Sequence, residues 1–429
     1  MMSVFRIVAA VIVAGLATPV AAETVAITNA HIFTMGPAGE IPNGTIVLRD
    51  RAIIAVGPNL GVPSGARVID AKGAVVTPGL IAAGTVLGGL EINSLPETDD
   101  VRSHNARLSA GLDVQFGLNP DSVLIPTARL GGVTRAVVAP DYDDRGGGDQ
   151  ELLFAGQAAV VSLGQGADMV TRQKVGMVLE LGEDGAKRAG GSRAAEIGQL
   201  RATLDDVRFY KSHRASYDAG ATRELSLSRA DLEALVPVVD GRMPLIVGVH
   251  RASDIRLVLA FARDQKLKLI LNGAEEGWRV ATEIAAAHVP VLVNPISDLP
   301  ASYETLGSTL DNIVRLRAAG VQVAIMPVDP AHRVRELRYN AGRAVARGLP
   351  YAAALEAITL APAQIFGVAD RLGSLEVGKT ADLVIWAGDP LEIRSEPQMI
   401  FIDGVSQPLR SRALDLRDRY LGGKADRAN

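Results

Sequence analysis

The chain has 429 residues, a formal net charge of −4, no cysteine and 4% aromatic residues. Acidic and basic residues are interspersed, which excludes the basic stripe and stacked aromatic cluster typical of nucleic-acid-binding proteins. The absence of cysteine excludes disulfides, thiolate metal sites and a lipid-modified cysteine anchor. Hydrophobic residues make up 48% of the chain, which is enough for a large buried core.

The first 22 residues have the pattern of a secretory signal peptide. Arg6 supplies the positive charge, residues 7–16 form an apolar run, and residues 20–22 (VAA) permit cleavage before Glu23. A membrane anchor is the alternative, but the apolar run is shorter than the roughly 20 residues that a spanning helix needs. We therefore expect an exported protein, periplasmic in a bacterium, with no membrane association after cleavage of residues 1–22.

Short β-rich segments occur near both ends of the remaining chain. Residues 25–28, 45–49 and 53–56 are separated by turn residues, and comparable segments return at residues 383–386 and 399–404. We predict that residues 23–75 and 371–423 form one small β-sandwich, with the rest of the chain inserted between them.

Residues 76–370 alternate short apolar runs with longer amphipathic stretches, which is typical of βα units in a parallel sheet. Eight such units predict an α/β fold, specifically a (β/α)8 TIM-like barrel. An open doubly wound sheet is the alternative, but residues 84–89 lack the glycine spacing of its phosphate-binding turn. The eight candidate strands are residues 79–84, 135–139, 158–162, 176–180, 245–249, 267–271, 289–293 and 321–325.

Two segments resemble the amidohydrolase superfamily, particularly its imidazolonepropionase-like branch. They are residues 74–81 (AVVTPGLI), at the start of the barrel, and residues 357–390, which contain GSLEVGKTADLV. The resemblance implies a hydrolase of carbon–nitrogen bonds in non-peptide or cyclic amides. It also implies a divalent metal ion that activates water, held by side chains at the carboxyl ends of the barrel strands.

This chain departs from that metal-binding pattern at several positions. The two first-strand histidines are replaced by Gly84 and Val86, and the sixth-strand histidine by Asn272. Glu180 and His250 match the fourth-strand and fifth-strand ligands, while Val328 stands where the eighth strand should supply aspartate. We therefore predict no metal ligands and no cofactor. Zn²⁺ or another divalent ion remains open only for a rearranged site, whose candidate ligands are Glu91, Asp99, Asp100, His104, His250 and Asp329.

The predicted barrel nevertheless indicates where the candidate site lies, because the loops that follow the barrel strands form the catalytic end. His250 and Asp329 are the candidate catalytic residues, and Thr85, Glu91 and Asn272 are the candidate substrate-binding residues. Two hypotheses follow. The chain is a hydrolase with an altered or metal-independent site, or it is a non-catalytic relative that binds a small molecule or a partner protein at the same place.

Overall fold

The computed structural model describes residues 23–103, 105, 107–142 and 153–425, with side chains up to residue 421. The predicted signal peptide and His104 lie outside the described residues. No helix in the described part of the chain is long and apolar enough to cross a membrane. The strands are β1 (Thr24–Phe33), β2 (Glu40–Arg49), β3 (Ala52–Gly57), β4 (Arg67–Asp70), β5 (Val75–Pro78), β6 (Leu80–Thr85), β7 (Val133–Val138), β8 (Phe154–Ser162), β9 (Val170–Glu180), β10 (Leu245–Val249), β11 (Leu269–Gly273), β12 (Val291–Val293), β13 (Val323–Ile325), β14 (Leu383–Trp386), β15 (Pro397–Ile402) and β16 (Val405–Ser406).

Helices flank most of the barrel strands. They are α1 (Leu124–Arg129), α2 (Glu183–Arg188), α3 (Arg193–Ser212), α4 (Arg214–Asp218), α5 (Arg229–Val239), α6 (Ala252–Gln265), α7 (Ala281–Ala286), α8 (Asn312–Ala318), α9 (Leu337–Ala346), α10 (Tyr351–Glu356), α11 (Leu360–Ile365) and α12 (Arg412–Ala425). The last of these, α12, lies in the segment for which the sequence predicts β structure and a tail.

Strands from both chain ends share one sheet, as the sequence predicts. Its order is β16-β15-β14-β5-β1-β2-β3, and β4 also pairs with β1. The join between the two ends is the antiparallel pairing of β14 with β5. β5 therefore belongs to this sheet, although the sequence places residue 76 at the start of the barrel. We call this unit the β-module.

The second sheet contains all eight strands predicted for the barrel, in the order β13-β12-β11-β10-β9-β8-β7-β6. Seven of these strands run parallel, but β8 is antiparallel to both β7 and β9. The expectation of a fully parallel barrel is therefore corrected at this strand. Only seven residues separate β8 from β9, which is too short for the crossover that a parallel pair needs. Every residue of β8 is buried, so its apolar run gives no sign of its direction.

A buried ionic cluster joins the barrel to the β-module. Arg135 on β7 donates to Asp382 through Nε at 2.6 Å and through Nη2 at 3.0 Å. Its Nη2 also lies 2.9 Å from Asp403 Oδ1, and Nη1 donates to Thr171 Oγ1 at 2.9 Å. Burial opposes the charged guanidinium, but the attraction of Asp382 and Asp403 outweighs it and raises the pKa of Arg135. The two units are thus connected through one nearly inaccessible cation.

Candidate functional site

A cavity of about 320 Å³ opens at the carboxyl ends of the barrel strands. Ligand sites of such barrels lie at this end, because the loops that follow the strands converge there. Its floor is apolar, formed by side chains such as Val137, Val178, Ile246, Leu292, Met326 and Phe366. Its polar side chains are Thr85, Asp141, Tyr142, Glu180, His250, Asn272, Glu275 and Asn294.

His250 directly follows β10 and is surrounded by carboxylates. Its Nδ1 bonds to Glu275 Oε2, and its Nε2 lies 3.7 Å from Glu180 Oε1 and 3.9 Å from Glu304 Oε1. Burial alone would lower the pKa of His250, but Glu180 and Glu275 outweigh it and raise that pKa to about 11. The side chain is therefore a fixed imidazolium at neutral pH and not a base.

Two glycines make room for this arrangement. Gly248 on β10 pairs in register with Glu180, and a Cβ atom at Gly248 would overlap the Glu180 carboxylate. Gly273 has a φ of +87°, and a Cβ there would lie 2.6 Å from His250 Nδ1. Neither position tolerates a side chain unless the neighbouring functional group moves.

The raised pKa of His250 predicts a pH-dependent stability. Because the folded-state pKa lies above the unfolded value, the contribution is complete below about pH 6.5 and is lost as pH rises toward about 11. We expect the melting temperature of the wild type to fall more steeply between pH 7 and 11 than that of His250→Gln. Thermal unfolding followed by circular dichroism measures this, with His213→Gln, an exposed histidine, as the control. Parallel curves for wild type and His250→Gln would contradict the prediction.

A second ionic cluster contains Glu304, the carboxylate whose Oε1 lies 3.9 Å from His250 Nε2. Arg193, at the start of α3, donates to Glu304 at 3.0 Å and to Asp254 at 2.9 Å. Glu196, one turn further along α3, is buried and accepts only a 3.3 Å bond from the Gly182 N–H through Oε1, while its Oε2 has no partner among the described residues. Burial, followed by the charges of Asp254 and Glu304, raises the pKa of Glu196 to about 7.

Glu196 should therefore destabilise the fold at alkaline pH. Its folded-state pKa lies above the usual value of 4.5, so the protonated carboxyl group is the form that the fold favours. The stability that this form contributes is complete below about pH 4.5 and is lost as pH rises through about 7. Glu196→Gln keeps an oxygen that can accept from Gly182. We expect it to raise the free energy of unfolding at pH 8 by on the order of 1–3 kcal/mol and to leave it unchanged near pH 4.5. Urea titrations at both pH values test this, and a loss of stability at pH 8 would refute it.

The predicted substrate-binding residues have different surroundings. Thr85 and Asn272 line the cavity. The Thr85 hydroxyl donates to the Val137 carbonyl at 3.1 Å, whereas the buried Oδ1 of Asn272 has no partner among the described residues. Glu91 is not among the lining residues, and both of its carboxylate oxygens are buried without a described partner. The structure thus brings Thr85 and Asn272 together with His250, but not Glu91.

Asp329 lies beside the cavity and bonds to its own loop. Its Oδ1 accepts from the backbone N–H groups of Ala331 and His332, both at 2.8 Å. The lining residues on either side are Val328 and Pro330. The structure therefore does not group Asp329 with the other cavity side chains.

The two first-strand positions at which the amidohydrolase resemblance implies metal ligands hold no donor side chains. Gly84 lies on β6 with a φ of +68°, and a Cβ there would meet Met326 Sδ at 3.1 Å. Val86 is buried and apolar. Of the carboxylates considered for a rearranged site, Asp99 bonds to Arg102 and Asp100 is exposed. Across the part of the chain that the structure describes, no group of three or more His, Cys, Asp or Glu side chains could hold a metal ion.

Three residues near His250 were missed by the sequence analysis. Glu275 lies two residues after β11, so its place at the carboxyl end could have been recognised from the strand alone. Tyr142 and Glu304 lie in longer loops, where spacing gives no such signal. The Tyr142 hydroxyl accepts from the Glu180 N–H at 2.9 Å and donates to the Leu153 carbonyl at 2.5 Å. This fixes the backbone from which Glu180 projects.

Comparison with known proteins identifies similar sequences over parts of the chain. Residues 260–408 match the model of the amidohydrolase family. Amidohydrolase tasK of Hapsidospora irregularis is 22% identical over 366 residues, which cover 80% of this chain and 37% of that protein. A 5-methylthioadenosine/S-adenosylhomocysteine deaminase of Desulforudis audaxviator (strain MP104C) is 40% identical over 97 residues, which cover 20% of this chain and 23% of that protein. The chain thus spans well under half the length of these curated relatives.

Solved structures are similar over most of the chain. An amidohydrolase from Thermotoga maritima MSB8 superposes with a TM-score of 0.79 at 24% identity, covering 90% of this chain and 100% of that one. Molinate hydrolase superposes with a TM-score of 0.55 at 16% identity, covering 91% and 95%. At these identities the likeness shows a common fold, which agrees with the barrel and β-module described above.

Proposed function

We propose that the cavity beside His250 hydrolyses a carbon–nitrogen bond of a small molecule. The chain has the amidohydrolase fold, and its residues 260–408 match the amidohydrolase family model. The observation that carries the proposal is the convergence of Glu180, His250 and Asn272 in one cavity at the carboxyl ends of the strands. The segments at residues 74–81 and 357–390 favour the imidazolonepropionase-like branch and therefore a non-peptide or cyclic amide as substrate.

Each of these side chains has a distinct role in the proposed reaction. Glu180 is a carboxylate whose pKa is raised by burial, which strengthens it as a base for water. Water attacks the amide carbonyl, Glu180 accepts its proton, and the same proton passes to the departing nitrogen. His250, a fixed imidazolium, stabilises the negative charge that develops on the carbonyl oxygen. Asn272 orients the substrate, and Asp329 could replace Glu180 as base only after giving up its two backbone bonds.

We further propose that the metal centre of the family is degenerate in this chain. Gly84, Val86 and Asn272 replace three imidazoles, and the space beside Gly84 is occupied by Met326. Glu180 and His250 are the two donors of the pattern that remain, and His250 Nε2 lies 3.7 Å from Glu180 Oε1. These donors do not fit a divalent ion that needs three or four protein ligands. No step of the proposed reaction therefore involves a metal.

An activity screen tests the hydrolase proposal. The purified protein is assayed against acyclic amides, lactams and cyclic ureides, with EDTA and separately with added Zn²⁺. We expect hydrolysis that EDTA does not abolish. We also expect Glu180→Gln to lower kcat by at least about 100-fold. Glu283→Gln, which removes an exposed carboxylate on α7, is the matched control. Activity that requires metal, or that is unchanged in Glu180→Gln, would contradict the proposal.

A non-catalytic binding function is the second candidate. It is favoured by the state of His250, whose Nδ1 bonds to Glu275 and which cannot act as a base near neutral pH. This candidate predicts stoichiometric binding of a small molecule in the cavity with no turnover in the same screen.

We also propose that the protein is exported to a bacterial periplasm. The support is the signal pattern of residues 1–22. Amino-terminal sequencing of the protein recovered from a periplasmic fraction should begin at Glu23. A chain that retains Met1 in the cytosol would contradict this proposal. After cleavage, we expect no binding to membranes or nucleic acid.

A further inference from the structure

The charges in the cavity do not balance. Among its described lining residues, Asp141, Glu180 and Glu275 carry carboxylates and His250 carries the cationic side chain. Asp141 bonds to Arg102 outside the lining, and Glu275 bonds directly to the imidazolium. Glu180 is left with a 3.7 Å approach to the same imidazolium, which it shares with Glu275. The excess carboxylate in this cavity is therefore Glu180.

A second acceptor lies on the same side of the sheet as Glu180. Gly248 pairs in register with Glu180 on one neighbouring strand and with Asn272 on the other. The three residues thus form a row across β9, β10 and β11. Because Gly248 in the middle has no side chain, the Glu180 carboxylate extends into the space above it. The Asn272 Oδ1 atom is buried and has no hydrogen-bond partner among the described residues.

The Glu180 carboxylate and Asn272 Oδ1 are both hydrogen-bond acceptors, so a ligand that contacts them needs hydrogen-bond donors at that point. A buried carbonyl oxygen without a hydrogen bond is unfavourable, and a buried carboxylate gains most from a charged N–H group. An anionic ligand would place a further negative charge beside Glu180 and leave Asn272 Oδ1 unsatisfied. The floor of the cavity is formed by aliphatic and aromatic carbons, including those of Ile246, Leu292 and Phe366.

We propose that this cavity binds a small molecule in which a protonated amine is attached to an apolar body, with the amine bonded to Glu180 and Asn272 and the body on the barrel floor. This inference rests on the site named in the proposed function and adds the class of its substrate or ligand. It identifies the reactant as a cationic amine-bearing compound, whichever bond is then broken.

Isothermal titration calorimetry at pH 7.5 with three probes of similar size tests this inference. The probes are benzylamine, which is cationic, benzyl alcohol, which is neutral, and benzoate, which is anionic. We expect benzylamine to bind at least about tenfold more tightly than benzyl alcohol, since a charge-assisted bond replaces a neutral one. Benzoate should bind most weakly.

Variants assign the effect to the two acceptors. Glu180→Gln should weaken benzylamine binding about tenfold and leave benzyl alcohol unchanged. Asn272→Asp should strengthen benzylamine binding, because it adds a second carboxylate to the row. Glu283→Gln is again the control, and circular dichroism and melting temperature confirm that each variant is folded. The strengthening in Asn272→Asp cannot arise from a folding defect.

The outcomes separate this inference from the hydrolase proposal. Benzylamine binding without hydrolysis in the activity screen supports the inference and rejects the hydrolase function. Binding of benzoate or benzyl alcohol as tight as that of benzylamine overturns the inference, even if hydrolysis is found. Failure of benzylamine to bind at about 10 mM, a concentration that detects even millimolar affinity, also overturns it.

Discussion

Replacing Arg135 by alanine is expected to lower the free energy of unfolding by about 3–5 kcal/mol, because it leaves buried carboxylates without their cation. The side chains of Arg135 and Asp382 are 4% and 5% exposed, so solvent does not screen the lost interaction. Asp403, which is 20% exposed, loses the same partner. Equilibrium unfolding in urea measures the change.

A surface arginine gives the matched control for that substitution. The side chain of Arg263 is 77% exposed and lies 3.4 Å from Asp264, so Arg263→Ala should change stability by no more than about 0.5 kcal/mol. Equal small losses in Arg135→Ala and Arg263→Ala would show that the barrel and the β-module do not depend on the buried cluster.

Substituting alanine for Gly273 is expected to destabilise the protein and to disrupt the cavity at once. A positive φ costs a non-glycine residue about 1–2 kcal/mol, and the steric conflict with His250 adds about 1–3 kcal/mol. The added methyl group would lie 2.6 Å from His250 Nδ1 and 3.0 Å from Glu275 Oε2. We therefore expect Gly273→Ala to lose the stability contribution of the His250–Glu275 pair and the binding of benzylamine.

Gly320 allows the two contributions to be separated. Its φ of +88° is close to that of Gly273, but a Cβ there would meet no atom within 4 Å. Gly320→Ala should therefore show the backbone cost alone, with unchanged ligand binding. If both variants lose the same stability and both still bind benzylamine, Gly273 has no special relation to His250.

Much of the fold could be predicted from the sequence because burial on both faces produces an apolar run in each barrel strand. All eight predicted barrel strands and the shared sheet of the β-module are present. Strand direction was less predictable, since an apolar run is the same in either direction. The short connection between β8 and β9 is the feature that makes β8 antiparallel.

The site was predictable where a residue ends a strand and unpredictable where a loop returns to the cavity. Thr85, Glu180, His250 and Asn272 all lie at or next to strand ends, and all line the cavity. The approach of Glu304 to His250 depends on a loop after β12 and on Arg193 from a distant helix. Local spacing contains neither relation.

Loop geometry also decides the surroundings of Asp329. Asp329 directly follows Val328, the position at which the amidohydrolase resemblance implies an aspartate. Its hydrogen bonds to two backbone N–H groups depend on the turn that follows β13, which a strand pattern does not specify. The role of Asp329 in catalysis stays a prediction, and Asp329→Asn in the amide-hydrolysis assay addresses it.

The metal content of the purified protein tests the central claim most directly. That claim is a functional cavity around Glu180 and His250 that works without the divalent ion implied by the amidohydrolase resemblance. Plasma mass spectrometry on protein produced in Zn²⁺-supplemented medium and dialysed should find well under one equivalent of any divalent metal per chain. About one or two retained equivalents, lost in His250→Gln, would contradict the account, because ions held by three or four protein ligands survive dialysis.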